Sequence, residues 1–114
     1  MPGGRVNINF TQVITVHCTN PKRLVELISE WDAERARSEL TGYMGTRILA
    51  DREHLGQYVC IVDFGVIDPD VTAAEEAAMN NDRPETKAVS AAVAEICEGE
   101  IVYHHFDEVY RTDQ

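Results

Sequence analysis

The stretch Gln57-Tyr58-Val59-Cys60-Ile61-Val62-Asp63-Phe64 limits the fold more than any other part of the chain. Its β-branched and aromatic content predicts a strand. Successive strand side chains point to opposite faces of a sheet, so a half-buried strand alternates apolar with polar residues. Here both parities are apolar: Tyr58, Cys60, Val62 and Phe64 share one face, and Val59 and Ile61 the other. Such a strand belongs inside a sheet, not at an edge, and it asks for cover on both sides.

The rest of the chain supplies cover for one side only. Residues 6–17 alternate Val6, Ile8, Phe10, Ile14 and Val16 and predict a first strand, β1. Asn20 can cap the helix that follows and Pro21 suits its first position, so Leu24, Leu27, Ile28 and Trp31 form the apolar stripe of a helix α1 reaching about Ser38. Tyr43 to Asp51 predicts β2, joined to the central strand, β3, by the polar turn Asp51-Arg52-Glu53-His54-Leu55-Gly56. Thr72 with Glu75 three residues on is a capping-box signature for a helix α2 running to about Asn80. After Asn81-Asp82-Arg83-Pro84, a segment α3 carries Val89, Ala92, Val93 and Ile96 on one face, with Gly99 as its expected stop. Glu100 to Tyr110 alternates again and predicts β4.

The expected fold class is therefore α+β: a ferredoxin-like βαββαβ order, an antiparallel four-stranded sheet, and helices on one face because each crossover is right-handed. The face without helices then needs a partner sheet, which is the physical argument for a homodimer. The 114 residues have the length of one domain, with a core expected over about 6–110.

Charge narrows the partners. Twenty acidic against ten basic residues give a formal charge of -10, a field that repels phosphate backbones and anionic lipid, so neither nucleic acid nor a membrane surface is expected as a partner. No run approaches the ~18 apolar residues of a spanning helix, and Met1-Pro2-Gly3-Gly4-Arg5 leads into a strand pattern instead of a secretion signal, so a cytoplasmic location is expected. Cys18, Cys60 and Cys97 are odd in number, widely spaced and in apolar company, which reads as free buried thiols and not as a disulfide framework or zinc site.

The stretch Thr41-Gly42-Tyr43-Met44-Gly45-Thr46-Arg47-Ile48-Leu49, followed by Gln57 to Phe64, resembles the antibiotic biosynthesis monooxygenase-like family. Asn81-Asp82-Arg83-Pro84-Glu85-Thr86 and the terminal Tyr103-His104-His105-Phe106-Asp107 resemble uncharacterised members of the same group, so the likeness spans roughly residues 8 to 110. The resemblance implies a dimeric α+β barrel with a pocket between sheet and helices in each subunit. It also implies activities such as cofactor-independent oxidation of phenols by dioxygen, haem degradation, or other work on small organic ligands. Two departures bear on chemistry. Phe64 stands where quinol-oxidising members use a tryptophan, and the helical segments contain no histidine, so haem ligation in the family's usual manner is not expected.

Candidate chemical groups follow, each beside a plainer role. An imidazole can take a proton from a phenol or enol near neutral pH, and by strand parity only one of His104 and His105 faces the helices. His105, in phase with Tyr103, is the candidate base; the plainer role for both histidines is sheet surface or dimer seam. Tyr43, Tyr58 and Tyr103 are suited to orienting a ligand, although a buried tyrosine usually finds a partner anyway. Arg47 is suited to holding a carboxylate or phenolate, or to pairing with Asp63 across the hairpin. Trp31 and Phe64 are candidate pocket walls or plain core. Asn80 and Asn81 are candidate amide donors or simple helix-end residues. Cys60 joins the pocket list without any activating neighbour in sequence.

No phosphate-binding loop, metal-ligand spacing or Ser/His/Asp motif occurs, and no cofactor is expected. The leading reading is a small oxygenase that deprotonates a phenolic or quinol-type substrate in an apolar pocket of several hundred Å3 beside Tyr103 or His105 and lets it react with dioxygen. Its catalytic candidates are His105, Tyr103, Tyr43 and Arg47, and its ligand is a small hydrophobic or aromatic molecule. The alternatives are a non-catalytic ligand-binding module on the same scaffold and a structural dimer with no pocket.

Overall fold

The computed structural model describes residues 9–36, 42–65 and 71–112 of the chain. Its elements run β1 (Phe10–Cys18), α1 (Pro21–Ala36), β2 (Tyr43–Ala50), β3 (Gln57–Phe64), α2 (Ala73–Asn81), α3 (Pro84–Ile96) and β4 (Cys97–Asp107). The expected start of β1 at Val6 and the expected end of α1 at Ser38 lie outside the described residues. All strand pairings are antiparallel and the sheet order is β2-β3-β1-β4, so β3 and β1 are the inner strands. This is the ferredoxin-like α+β arrangement, and β3 is central as its two apolar parities require.

The helix starts follow from local chemistry. Asn20 Oδ1 accepts the Arg23 amide at 3.1 Å, satisfying a free donor of the first turn of α1, and Pro21 opens the helix without missing an N–H. Thr72 and Glu75 close a full capping box: the Thr72 hydroxyl accepts from the Glu75 amide at 3.1 Å and the Glu75 carboxylate from the Thr72 amide at 2.9 Å. Asp82 caps the end of α2, Arg83 caps the start of α3 and Pro84 is its first residue, so the two helices meet at a corner.

One boundary differs from expectation. Gly99 does not end α3; the helix stops at Ile96 and Cys97 passes straight into β4. Gly99 instead sits inside the strand at φ +73°, where two steps along β1 (Thr15 to His17) match four along β4 (Val102 to Glu98). The extra residues must bulge, and a left-handed φ is open to glycine without strain. A glycine past an apolar helical stripe thus served a strand bulge, a use that helix periodicity cannot distinguish from a helix stop.

Opposed residues in paired strands share a face. Phe10, Gln12, Ile14, Val16 and Cys18 of β1 therefore lie with Tyr58, Cys60, Val62 and Phe64 of β3, and all three helices pack on this side. The core divides into two clusters. Val16, Cys18, Leu24, Leu27 and Val93 form one, and Trp31, Val62, Phe64, Ala73 and Ala77 the other. Between β2 and the second helix, Gly42 is wedged: its amide donates to buried Glu76 at 3.2 Å, its carbonyl accepts from Gly65, and a Cβ there would stand 2.1 Å from the Gly65 carbonyl oxygen.

The opposite face is open. Thr11, Val13 and Thr15 of β1, Val59, Ile61 and Asp63 of β3, Arg47 and Leu49 of β2, and Val102, His104 and Phe106 of β4 all point away from the helices, and none of them is buried.

Candidate functional site

A cavity of about 80 Å3, partly open to the surface, lies between the covered face of the sheet and the helices. Strand alternation builds its roof, since Gln12, Ile14 and Val16 of β1 and Cys60 and Val62 of β3 all face the same way. Trp31 and Ile28 of α1 and Val93 of α3 close it from below. The α2–α3 corner brings Asn80, Asn81, Thr86 and Ser90 to one end, and Tyr103 of edge strand β4 stands at its rim, half-exposed. The cavity is thus an apolar chamber with a cluster of amides and hydroxyls. It is smaller than the several hundred Å3 expected.

Trp31 is held there firmly. Its indole N–H donates to Thr86 Oγ1 at 3.1 Å, and the Tyr43 ring meets it edge-on with centroids 5.0 Å apart. The Tyr43 hydroxyl is engaged with the Asp32 carboxylate and lies 2.6 Å from Thr46 Oγ1. Tyr43 therefore braces the tryptophan and does not itself line the cavity.

Asn80 presents an unusual group. The residue is 4% exposed, and its Oδ1 is fully buried without a hydrogen-bond partner. An acceptor in that state costs about 1–3 kcal/mol of lost hydration.

Histidine placement follows strand parity. His105 pairs with Gln12 on the helix-covered face, and His104 with Val13 on the open face. His105 is exposed, stacks on Phe10 at 5.7 Å, and has its Nε2 3.4 Å from Gln12 Nε2. It does not line the cavity; buried Gln12 stands between them.

Of the catalytic candidates, the structure brings Tyr103 to the cavity, sets His105 one residue outside it, uses Tyr43 as a brace, and places Arg47 on the opposite face of the sheet. Arg47 lies across from Ile61, and Asp63 instead accepts the Thr11 hydroxyl at 2.6 Å. Of the pocket candidates, Trp31, Cys60, Asn80 and Asn81 line the cavity, whereas Phe64 is fully buried in the core and Tyr58 packs against the first core cluster.

Burial, together with nearby Cys97 and Cys18, pushes the Cys60 thiol up to about 11, so it stays protonated near neutral pH and is a wall and not a nucleophile. Among the described residues no cluster of His, Cys, Asp or Glu is arranged to hold a metal ion, and no helix is long and apolar enough to cross a membrane.

Gln12 and Thr86 escaped the sequence reading, although each left a trace. Gln12 is an amide in the apolar parity of β1, between Phe10 and Ile14. Thr86 is the polar member of the stripe Thr86, Val89, Val93. A polar residue in core phase signals a buried partner or a cavity.

No protein-family profile matches the sequence, and no curated protein does. Solved structures do. A protein of Nitrosomonas europaea, provisionally named an antibiotic biosynthesis monooxygenase, superposes with a TM-score of 0.69 at 15% identity, over 93% of this chain and 94% of its own. One from Caulobacter crescentus CB15 with the same provisional name gives 0.68 at 14% identity, over 91% of each chain. A conserved protein of Methanosarcina mazei Go1 gives 0.68 at 10% identity, covering 87% of this chain and 91% of that one. The chain has the antibiotic biosynthesis monooxygenase-like fold. At these identities the likeness carries architecture and no residue roles, and the monooxygenase-like fold by itself selects no substrate.

Proposed function

We propose that the protein is a homodimeric, cofactor-independent oxygenase that takes a small phenolic or quinol-type molecule into this cavity. The observation that carries this reading is the chamber itself: apolar walls around Trp31 with amide and hydroxyl groups gathered at the α2–α3 corner, on a fold shared with proteins of that provisional name. Ile28, Val62, Val93 and Trp31 suit a ring, and the polar groups suit its oxygen substituents. Loss of a phenolic or enolic proton then yields an electron-rich anion in a poorly solvated site. One atom of dioxygen enters the substrate, and the other leaves as water with two substrate hydrogens. His105 is the proposed proton acceptor, reached from the rim beside Tyr103. The second sheet of the dimer would cover Val59, Ile61 and Phe106.

Oxygen uptake with single-ring quinols and with anthrone-like substrates, comparing wild type with His105→Ala and Tyr103→Phe, tests this. Loss of the base should lower turnover by roughly 100-fold or more. One observation favours a second reading, a non-catalytic binding module: among the described residues no carboxylate or imidazole lines the cavity. Ligand binding with no oxygen uptake from any substrate would decide for that module.

A further inference from the structure

Cys18 and Cys97 are direct partners across the pairing of β1 with β4. Opposed strand residues share a face, so both side chains project toward the helices, where Cys18 belongs to the first core cluster and Cys97 packs against it. Backbone hydrogen bonds fix how close they come. The Cys18 amide donates to the Gly56 carbonyl at 2.9 Å and the Cys97 amide to the Ala94 carbonyl, so neither residue gives its N–H to the other. They are therefore a non-hydrogen-bonded antiparallel pair, the kind with Cα atoms ~4.5 Å apart and the closer side chains. Disulfides form over Cα separations of roughly 4.4–6.8 Å. The remaining thiol, Cys60, lies opposite Ile14 and Ile48 and has no cysteine across either neighbouring strand.

From this we propose that Cys18 and Cys97 are an oxidisable dithiol that a hydroperoxide closes into a disulfide, latching the start of α1 to the end of α3. Cys18 stands two residues before Asn20, whose side chain caps α1, and Cys97 is itself the cap at the end of α3. The bond closes a loop of about 80 residues and so removes much freedom from the unfolded chain. The latch is independent of whatever occupies the cavity.

The chemistry runs in two steps. Cys97 is the more accessible thiol, since Cys18 is 4% exposed and Cys97 is partly exposed. Its thiolate attacks the O–O bond of the peroxide; an S–O bond forms, the alcohol (water, from hydrogen peroxide) leaves, and Cys97 becomes a sulfenic acid. The Cys18 sulfur then displaces that oxygen. An S–S bond forms, the S–O bond breaks, and the Cys18 proton departs in water. Two thiols are oxidised by two electrons and one peroxide is reduced. Burial and the adjacent Cys18 thiol hold the Cys97 thiol above its ordinary range, so little thiolate is present near neutral pH and the reaction is slow. The same property makes the sulfur a poor leaving group, and the bond, once closed, is durable.

The test uses the native full-length protein, reduced and then exposed overnight to a modest excess of hydrogen peroxide. Thiols titrated after denaturation should fall from three per chain to one, and digestion without reductant should yield peptides joined through Cys18 and Cys97. The melting temperature should rise by at least about 5 °C and return when a dithiol reductant is added. Cys60→Ala should close the bond as the wild type does, whereas Cys97→Ser should gain no thermal stability from peroxide. Survival of all the thiols, a bond mapped to Cys60, or oxidation that stops at acid forms of Cys97 with Cys18 still free each overturns the proposal. A Cys18–Cys97 bond that leaves the melting temperature unchanged overturns the latch. These outcomes are read on the wild type and do not require either variant to fold.

Discussion

Both faces of the sheet carry apolar side chains, and the two sets have opposite fates. Phe64 on the helix-covered face is 0% exposed, whereas Phe106 on the open face is 53% exposed. Every buried strand residue belongs to the covered face: Gln12, Val16, Cys18, Cys60, Val62 and Phe64. The difference teaches that apolar strand sequence sets a demand for cover, and that connectivity meets it only where the crossover helices land. Among the described residues, no helix packs on the side of the sheet that carries Val59, Ile61 and Phe106.

Mutations that probe the faces in pairs can break that contrast, and the largest effect falls on the covered side. Phe64→Ala should cost about 3–5 kcal/mol of unfolding free energy in a urea titration, as expected for a large side chain removed from a closed core. A cost under about 1 kcal/mol would show that this face is loosely packed.

The thiol at Cys60 sharpens the same point through pH. Burial raises it from 9.0 to about 11, so the unfolded chain ionises first as pH rises. The thiol leaves stability unchanged below pH 9 and lowers it between pH 9 and 11. The loss should be on the order of 2–3 kcal/mol, and Cys60→Ala should flatten that part of the stability–pH curve.

Thr86→Val keeps the shape of the side chain but leaves the Trp31 indole N–H without its acceptor. It should cost roughly 1–3 kcal/mol and shift the tryptophan fluorescence. An unchanged spectrum and midpoint would mean that packing alone holds Trp31.

On the open face, Arg47→Ala should change the stability of the protomer by no more than about 0.5 kcal/mol. Ile61→Ser should do little to an isolated protomer, yet make the melting temperature and sedimentation of a self-associating protein depend more steeply on concentration. If Ile61→Ser behaves as wild type at all concentrations, the open face is not what joins two copies.

Much of this was legible in the sequence because it depended on neighbours along the chain. The capping box Thr72–Glu75, the Asn20–Pro21 start of α1 and the limits of β3 are short-range chemistry. Strand parity also separated His104 from His105. The site was legible only in pieces. Trp31, Cys60, Asn80 and Tyr103 were in view as candidates, but nothing linear placed Arg47 behind the sheet or put Gln12 between His105 and the cavity. Those facts depend on inter-strand register. Gly99 shows the same limit, since a bulge is a property of two strands and cannot be read from one.

The sequence by itself determined the order of the elements, the position of β3 inside the sheet and the surplus of apolar side chains, because period, capping and composition act over a few residues. Only the tertiary structure decided that Asn80 would end up buried without a partner, that Thr86 would take the Trp31 proton, and that the chamber between them would be small. Each of those outcomes is fixed by how helices from distant parts of the chain settle against one face of the sheet, and no local pattern encodes that closeness.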